Sequence, residues 1–337
     1  METPVDFVVT WLDSTDPEWQ DAYRKARGVE MQDDAGRYRN WGLFKYWFRA
    51  VEAYAPWVNK VFLVTNGKNP DWINPNHPKL VLVSHEDYIP TKYLPTFNSI
   101  TIELNMNKIP GLSEHFVYFN DDCYVNNPIE SSYYFQNGLP CDNCEELLQF
   151  NPTYDSVQKF SIKLQVYTDM AILNNHFNRL DVIDNNKCNW SIKNLSRRGI
   201  ITRFLLRKSR FFQFFKWRHF EQPMLKSVIS EIWEKEPYWM DKSCSQFRQT
   251  ISLNPYIIRY WQFATNRFCP TKLNHAEFLN IGVNDIDLIV SKLDSCDIYS
   301  LCINDGAHCT DENFRLWKNK LISAFENKFP NKSSFEV

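Results

Sequence analysis

Two adjacent carboxylates, Asp121 and Asp122, follow the apolar run HFVYFN at residues 115–120. Two acids side by side repel each other, and their ionised forms are costly unless a positive charge lies between or beside them. A divalent cation that also binds a diphosphate, Mg²⁺ or Mn²⁺, meets this requirement. Taken alone, an Asp-Asp pair more often forms a turn or caps a helix, so other residues must strengthen the interpretation.

Polar side chains end three other apolar runs in the same way. Trp11, at the end of DFVVTW, could stack on a nucleotide base, and the turn VTNG lets backbone amides approach phosphate. Acidic strand ends without a counter-charge in the neighbouring sequence favour a site for a metal and a nucleotide. The polar residues that follow or end these runs are Asp13, Asp16, Thr65, Asn66, Asn304 and Asp305.

These residues need strands that bring them to one place. The β-branched and aromatic runs at 6–11, 60–65, 79–84 and 115–120 predict strands, and apolar positions at helical spacing within 43–57 predict a helix. Strand, helix and strand at this spacing predict βαβ units and an α/β fold with a mainly parallel sheet. Ligands of such sheets bind outside the carboxyl ends of the strands, so we expect the polar clusters to line one edge.

The rest of the chain divides into an insertion and a helical part. We expect a nucleotide-sugar-binding half over 1–135, an insertion over 136–218, and a helical subdomain that returns to the core over 219–337; SVISEIWEKE and NPYIIRYWQFA are amphipathic runs typical of helices. Segment 197–218 has eight basic residues and no acidic ones, interleaved with Phe, Leu and Ile. It could rest on an anionic membrane surface or reach a lipid-linked acceptor, or it could be a solvated helix face over the core, and both interpretations stay open.

Composition argues against several classes of protein, including nucleic-acid-binding, membrane-spanning and exported proteins. With 337 residues, 44% hydrophobic and 16% aromatic, the chain can bury a large core, and a formal net charge of -2 gives no reason to expect nucleic acid as a partner. No run approaches the roughly 20 apolar residues of a membrane span, and METPVDFVVTWLD lacks the features of an export signal. Nine cysteines without such a signal suit reduced thiols, so we expect a cytoplasmic protein.

The same segments resemble, in order, the four conserved regions of the Stealth family. DFVVTWLDSTDP is similar to the first region, and residues 45–122 are similar to the second. The second is the most specific, with YWFRAVEAYAPWVNKVFLVTNG, HPKLVLVSHEDYIP, LPTFNSITIE and IPGLSEHFVYFNDD. His219 with Pro223, Lys226 and Ser227 resembles the third region, and SLCIND resembles the fourth. The closing FPNKSSFE is similar to bacterial members.

This resemblance implies a GT-A/Rossmann-like nucleotide-sugar core and a bacterial phosphotransferase of capsule or exopolysaccharide synthesis. It implies transfer of a hexose-1-phosphate or N-acetylhexosamine-1-phosphate, for example from UDP-GlcNAc, to a hydroxyl of an oligosaccharide acceptor that could be lipid-linked. UMP would leave, and the sugar would keep its anomeric configuration. Peripheral contact with the inner face of the plasma membrane would suit such an acceptor.

The resemblance also implies roles for individual residues. His219 would be the general base, because an imidazole titrates near neutral pH. Arg248, in QFR, matches a family arginine and suits bidentate phosphate contact. Asn98 and Ser99, in TFNS, would touch the donor sugar or phosphate, and Asp121 would take part in catalysis as well as in metal binding. Trp11, Asp13 and Asp16 would bind the nucleotide, and magnesium would be held by Asp121, Asp122 or Asp305.

Two departures from the family pattern lie on the acceptor side. Members usually carry a proline two residues after the histidine, where this chain has Glu221. An acid often follows the arginine by about four residues, where this chain reads QTISLNP after Arg248. These differences affect the predicted acceptor geometry and leave the predicted donor site unchanged.

Two other functions share part of this pattern. A conventional metal-dependent GT-A-like glycosyltransferase would use the same strand-end acids and would release UDP instead of UMP. A glycan-binding scaffold without catalytic activity would bind ligand without His219 and would never turn over. The released nucleotide distinguishes the two enzymes, and turnover itself excludes the scaffold.

Overall fold

The computed structural model describes residues 3–28, 39–148, 161–272, 275–305 and 309–337. The strands are β1 (Val5–Thr10), β2 (Val61–Thr65), β3 (Leu80–Ser84), β4 (His115–Phe119), β5 (Cys123–Val125), β6 (Phe135–Gln136), β7 (Leu139–Asp142), β8 (Glu146–Leu147), β9 (Phe214–Phe215), β10 (Gln222–Leu225), β11 (Cys269–Pro270), β12 (Ala276–Ile281) and β13 (Ser300–Asp305). The helices are α1 (Pro17–Arg27), α2 (Phe44–Tyr54), α3 (Ser99–Leu104), α4 (Ser161–His176), α5 (Arg179–Asn185), α6 (Arg197–Leu205), α7 (Lys226–Lys235), α8 (Pro237–Ser243), α9 (Tyr256–Ala264), α10 (Ile286–Leu293) and α11 (Asp311–Lys328).

The main sheet has the strand order β10-β4-β1-β2-β3. The neighbours among β4, β1, β2 and β3 are parallel, with Phe7 opposite Val61 on one side and Val117 on the other. Among the described strands of this sheet, β10 is the antiparallel one, at the edge beside β4. The four predicted strands are therefore confirmed to within one residue at each end, as is the α/β fold with a mainly parallel sheet.

A smaller sheet meets the main sheet where the paired acids lie. Its order is β12-β13-β5, with β13 parallel to β12 and antiparallel to β5. The chain leaves β4, turns through Asn120–Asp122, and enters β5 at once. Because the amide of Ile303 in β13 donates to the carbonyl of Asp122 (2.9 Å), the two sheets are joined at this turn.

Helix α2 covers one face of the main sheet, as its apolar periodicity predicts. Its Trp47 packs against Phe7 of β1 and Phe119 of β4, with ring centroids 6.5 and 5.3 Å apart. Trp47 and Phe119 have no exposed surface, and burying a large apolar side chain contributes roughly 1.5–3 kcal/mol. The helix ends at Tyr54, two residues before Pro56, a residue that disfavours helix at the position preceding it.

The C-terminal tail FPNKSSFE is fixed to α2 by a buried ion pair. Arg49 donates from Nε and Nη2 to the two carboxylate oxygens of Glu336 at 2.8 and 2.9 Å, and from Nη1 to the carbonyl of Phe329 at 2.7 Å. Phe335 packs on Phe48 with ring centroids 5.3 Å apart. The tail is therefore part of the core on the outer side of α2.

The second half of the chain supplies both helices and an edge strand. The two predicted amphipathic helices are present as α7 and α9, and α9 packs against α4 and α7. Because β10 adds to the main sheet, the segment after His219 begins as part of the core before it becomes helical.

The division of the chain into parts at residues 135 and 218 stays a prediction. No helix in the described part of the chain combines the length and apolar composition needed to cross a membrane.

Candidate active site

A cavity of about 870 Å³ lies at the carboxyl ends of β1, β2 and β4. Residues preceding α2, the start of α3 and the end of β13 complete its wall. The expected convergence of strand ends on one site is thus observed, and the smaller sheet contributes to it. The predicted site residues that line the cavity are Trp11, Ser99, Asp121, Asp122, His219, Arg248, Asn304 and Asp305.

Asp121 and Asp122 occupy the turn between β4 and β5. The amide of Cys123 donates to the carbonyl of Asn120 at 3.1 Å and closes this turn. Asp121 is exposed to the cavity, and partial loss of hydration among the surrounding cavity walls raises its pKa to about 7, with the charge of the neighbouring Asp122 adding to the shift. The two carboxylates are therefore costly to ionise together, which is the property that a nearby cation would relieve.

His219 faces Asp122, with Nε2 3.5 Å from Oδ2. Burial acts to lower the pKa of His219, but hydrogen bonding and the charge of Asp122 outweigh it, so the pKa is raised above its ordinary value. Because Nε2 faces the carboxylate, a neutral imidazole that keeps its hydrogen on Nε2 has Nδ1 as its proton acceptor. This arrangement suits a general base.

The backbone before His219 is held by a buried charge network. Arg259 donates from Nε and Nη2 to the carboxylate of Asp142 at 2.5 and 3.0 Å, and Nη1 of Arg218 lies 3.3 Å from the same carboxylate. Arg259 also donates to the carbonyl of Lys216 at 3.0 Å, and the Tyr256 hydroxyl donates to the carbonyl of Arg218. These bonds restrict the position from which the His219 side chain projects.

Arg248 reaches the cavity beside α3. Its Nη2 donates to Oγ of Ser99 at 2.6 Å, so the arginine and the hydroxyl form one polar unit. Glu103, one helical turn after Ser99, lies close enough for the charges of Arg248 and His219 to favour its ionised form. Burial dominates, however, and raises the pKa of Glu103 to about 7.

Asp305, at the end of β13, faces the cavity from the smaller sheet. Its Oδ2 accepts from Nε1 of Trp41 at 3.0 Å, and Nη1 of Arg39 lies 3.9 Å from Oδ1. Oδ1 is buried and accepts no hydrogen bond from the described residues. Burial raises the pKa of Asp305, while Trp41 and Arg39 act in the opposite direction. The preceding Asn304 donates to Oδ1 of Asn280 at 2.6 Å.

Trp11 contributes an aromatic wall next to these polar groups. Its indole is stacked on Phe44, with centroids 5.8 Å apart and planes 10° from parallel. Its amide donates to the carbonyl of Val64 at 3.0 Å. The ring is therefore fixed at the carboxyl ends of β1 and β2.

Asp13 and Asp16 do not line the cavity, although the sequence groups them with the nucleotide site. Asp16 is 7% exposed and its Oδ1 accepts from Nζ of Lys68 at 3.0 Å, which lowers the pKa of Asp16 below its usual range. Asp13 accepts from the amide and hydroxyl of Thr15 at 3.0 and 2.6 Å and lies 3.9 Å from Lys68. Lys68 is thus the counter-charge that was not evident from neighbouring sequence.

Three further predicted residues also lie outside the cavity lining. Thr65 is 1% exposed, and its Oγ1 accepts from the amide of Gly67 at 3.2 Å, which shapes the turn after β2. Asn66 is beside it, with a buried Oδ1. Asn98 has no exposed surface; it caps α3 by accepting from the amide of Ile100 at 3.2 Å. Asn98 therefore positions Ser99 and does not itself face the cavity.

The departure from the family pattern at Glu221 is accommodated in the core. Its carboxylate accepts hydrogen bonds from the hydroxyls of Tyr134 (3.4 Å) and Ser300, the latter at the start of β13. Burial raises the pKa of Glu221, and these hydroxyls and the charge of Arg218 partly offset the effect. The carboxylate is therefore used to join β13 to the strand that follows His219.

A hard divalent cation fits the oxygen-rich part of the site. Within the described residues, one group of three ligand-type side chains has donor atoms within 4.8 Å of one another, and it consists of Asp122, Cys123 and Cys302. Asp121 and Asp305 are not in this group, so the three predicted carboxylates do not form a preassembled cage. Magnesium does not need one, since it commonly takes one or two carboxylates and completes its shell with phosphate and water. The two thiols are soft ligands that it does not prefer.

Several cavity residues were missed from the sequence. Tyr118 donates to Oδ1 of Asn120 at 2.8 Å, and both line the cavity. Tyr118 could have been found from the alternation of side chains along a strand, because residues two apart, such as Tyr118 and Asn120, point to the same side. Glu103 does not line the cavity, but its interaction with Ser99 could have been found from its spacing of four residues after Ser99 on a helix. Arg39 and Trp41 precede α2 in an irregular segment, and no periodicity points to them.

The chain is similar to known polysaccharide-synthesising proteins along its whole length. Residues 37–142 match the family described as "Stealth protein CR2, conserved region 2". A capsular polysaccharide phosphotransferase of Streptococcus pneumoniae is 37% identical over 341 residues, covering 100% of both chains. A receptor polysaccharide phosphotransferase of Streptococcus oralis is 37% identical over 99% of both chains. An exopolysaccharide phosphotransferase of Lactiplantibacillus plantarum is 33% identical over 98% of this chain and 96% of its own.

The chain belongs to the Stealth family. The matched conserved region 2 contains Trp41, Ser99, Asp121 and Asp122, whereas His219, Arg248 and Asp305 lie beyond it and are covered by the full-length relatives. This Stealth protein is accordingly a transferase. Among solved structures it is similar to the bifunctional glycosyltransferase WbbM, with 11% identity, a TM-score of 0.42, and coverage of 97% of this chain and 50% of that one.

Proposed function

We propose that this Stealth protein transfers a hexose-1-phosphate from a UDP-sugar to a hydroxyl of an oligosaccharide acceptor in cell-surface polysaccharide synthesis, and that it releases UMP. The observation that carries the proposal is the meeting of His219, Arg248 and the Asp121–Asp122 pair in one cavity. Phosphoryl-type transfer requires charge neutralisation, alignment and a proton acceptor, and these residue types supply all three. The names of the full-length relatives support the same class of reaction.

The proposed reaction takes place at the phosphorus next to the sugar. The acceptor oxygen forms a bond to this phosphorus while the bond to the oxygen that bridges the two phosphates breaks, and UMP leaves with that oxygen. The acceptor proton passes to Nδ1 of His219, and Asp122 stabilises the resulting imidazolium from the Nε2 side. Since the anomeric C–O bond is not broken, the sugar keeps its configuration.

The donor is assigned to polar and aromatic groups that line the cavity. Trp11, fixed by Phe44, is assigned to the uracil ring, and Asn304 to the donor. Arg248 and Ser99 are assigned to the phosphate nearest the sugar, because a guanidinium suits bidentate contact with phosphate oxygens. The remaining predicted residues, whose side chains lie outside the cavity lining, are assigned to the support of its walls: Asp13, Asp16, Thr65, Asn66 and Asn98.

Asp121, Asp122 and Asp305 are the residues that would hold magnesium or manganese. When bound, the cation supplies positive charge to the diphosphate and lowers the cost of ionising Asp121 beside Asp122. The buried Oδ1 of Asp305, which accepts no hydrogen bond from the described residues, fits such a role. Titration of the protein with Mg²⁺ by calorimetry, without donor, should therefore give weaker binding for Asp121→Asn than for Asp285→Asn, an acid outside the cavity lining that caps α10. Equal affinities would exclude Asp121 as a ligand.

We also propose that the reaction takes place in the cytoplasm, on an acceptor that can be lipid-linked. All nine cysteines are free thiols, which fits a reducing compartment. Fractionation of cells with antibodies to the chain, with reporters for each compartment, tests this location. Recovery outside the cytoplasmic membrane would contradict it.

The deciding experiment separates UMP from UDP after incubation with a panel of UDP-sugars, magnesium and a crude lipid-linked glycan fraction. Acceptor-dependent UMP is the expected product, and the UDP-sugar that produces it identifies the donor. Acceptor-dependent UDP would instead establish a conventional glycosyltransferase. His275→Ala is a matched control for variants of His219, because its imidazole bonds to the carbonyl of Asp297 outside the cavity.

A further inference from the structure

Helix α6 has its apolar side chains on the outside. Ile200, Ile201, Phe204 and Leu205 are 38%, 61%, 62% and 56% exposed, and Phe211 shortly after the helix is 60% exposed. A helix on the surface of a globular domain normally turns such a stripe toward the core. In α6 the apolar side chains face solvent instead of the core. Together with Phe211, they give five exposed large apolar residues that are close together in sequence.

Contacts on the inner side of α6 fix which side of the helix packs against the protein. Gly199 and Thr202 are buried, and a Cβ at Gly199 would lie 2.7 Å from Cγ of Glu145. Ser196 caps the helix by accepting from the amide of Gly199 (3.1 Å), and its hydroxyl donates to Glu145 (2.5 Å). Arg203 also turns inward, with Nε 3.3 Å from a carboxylate oxygen of Glu146. The small and polar side of the helix is therefore fixed against β8 and its neighbours.

Basic residues flank the exposed apolar residues along the chain. Arg197, Arg198, Arg207, Lys208 and Arg210 are all exposed, and no carboxylate in the described parts of the chain lies within ion-pair distance of them. The Arg207 guanidinium lies over the ring of Phe204, 4.3 Å from its centroid. The surface formed by these five basic residues and the five apolar residues of α6 and Phe211 is called the basic–apolar face below.

We propose that the basic–apolar face docks on a bilayer that contains anionic phospholipid. Exposed aromatic and aliphatic groups interspersed with Arg and Lys match the boundary between acyl chains and acidic headgroups, where each basic residue adds about 1 kcal/mol of attraction. A two-fold contact between copies of this chain through the same face would instead place like charges opposite each other. Charge complementarity therefore selects the lipid surface over self-association.

Docking would also place the cavity near the membrane. Phe211 and His219 are eight residues apart, and an extended chain of that length spans at most about 28 Å. A lipid-linked glycan could thus reach the cavity while its lipid stays in the bilayer. The docking proposal does not require the proposed phosphotransfer, since it depends on a different surface.

The test is flotation of the purified full-length chain with phosphatidylcholine vesicles and with vesicles that also contain phosphatidylglycerol, with no donor or acceptor present. We expect binding only to the anionic vesicles, with loss at high salt. The pair Phe204→Ser and Leu205→Ser, and the pair Arg207→Glu and Lys208→Glu, should each lower the partition coefficient by at least about tenfold. Because no substrate is used, failure here is distinguishable from failure of the proposed reaction.

Matched controls alter the same chemistry elsewhere on the surface. Leu316→Ser changes an apolar residue of α11 that is 65% exposed, and the pair Lys25→Glu and Lys235→Glu gives the same change in net charge. Both controls should bind anionic vesicles as the unchanged chain does. Docking is overturned if the unchanged chain does not float with anionic vesicles, if the control charge pair weakens binding equally, or if the Ser pair abolishes a dimer seen by sedimentation.

Discussion

Replacing His219 by alanine should separate proton transfer from donor binding. The substitution removes the imidazole that lies 3.5 Å from Asp122 and leaves Arg248 and Ser99 in place. A positioned general base contributes roughly 10²- to 10⁴-fold to rate, which corresponds to about 2.7–5.4 kcal/mol of transition-state free energy. We expect kcat to fall by that factor, while the dissociation constant of the UDP-sugar changes by less than about threefold because the proposed role of Nδ1 is toward the acceptor and not the donor.

The assay measures acceptor-dependent UMP formation at saturating donor and, separately, donor binding by calorimetry. Since the His219 side chain is 34% exposed, its loss should change the free energy of unfolding by less than about 1 kcal/mol, so the fold is retained. His275→Ala should keep full turnover. If His219→Ala keeps more than about a tenth of the activity, the proton acceptor is another group and the proposed mechanism is wrong.

Three further substitutions test the site and its support. Arg248→Lys keeps the positive charge but loses the planar guanidinium with its paired donors. We therefore expect kcat/KM to fall roughly ten- to a hundred-fold, the equivalent of one charge-assisted hydrogen bond. An unchanged kcat/KM would exclude phosphate contact by this residue. Asp142→Asn leaves the buried guanidinium of Arg259 without its charge partner. Chemical denaturation should therefore show a loss of about 3 kcal/mol in the free energy of unfolding. A loss below about 1 kcal/mol would show that the network does not support the fold. Glu336→Gln should cost about 1.5–3 kcal/mol in the same measurement without lowering kcat, because it weakens the contacts of the C-terminal tail with Arg49 and Ser333, outside the cavity lining. A large loss of kcat with unchanged stability would contradict this.

Local patterns were sufficient for the elements that position the site. β1, β2, β3 and β4 are short apolar runs with a period of two or with full burial, and α2 repeats at helical spacing, so each is determined by residues close together in sequence. The parallel order follows from the strand–helix–strand alternation. That order places Asp121 and Asp122 at the ligand-binding edge. His219 and Arg248 came from the resemblance to the Stealth family, since neither stands out by composition or period.

Tertiary contacts decided what each polar residue does. Asp16 is neutralised by Lys68, 52 positions away, and the buried Asn98 caps α3 instead of facing the cavity. The Asn98 cap is a local interaction, and only the packing around it decides that Asn98 is buried. The Asp16–Lys68 pair is not encoded in local spacing, because an ion pair between two loops depends on how the strands before them are aligned. The same holds for Asp305, which reaches the site only because β13 pairs with β5 directly after Asp122.

The sequence alone determined the mainly parallel sheet, the edge at which ligands bind, and the acids at that edge, because period and strand order are properties of neighbouring residues. It left open whether segment 197–218 is a membrane-facing surface or a solvated face. The structure showed which side of α6 is packed: Gly199 must lie against Glu145, since any larger side chain would meet that carboxylate. Packing of a helix face depends on its three-dimensional partner, and for that reason the outward direction of Phe204 and Leu205 could only be decided by the tertiary structure.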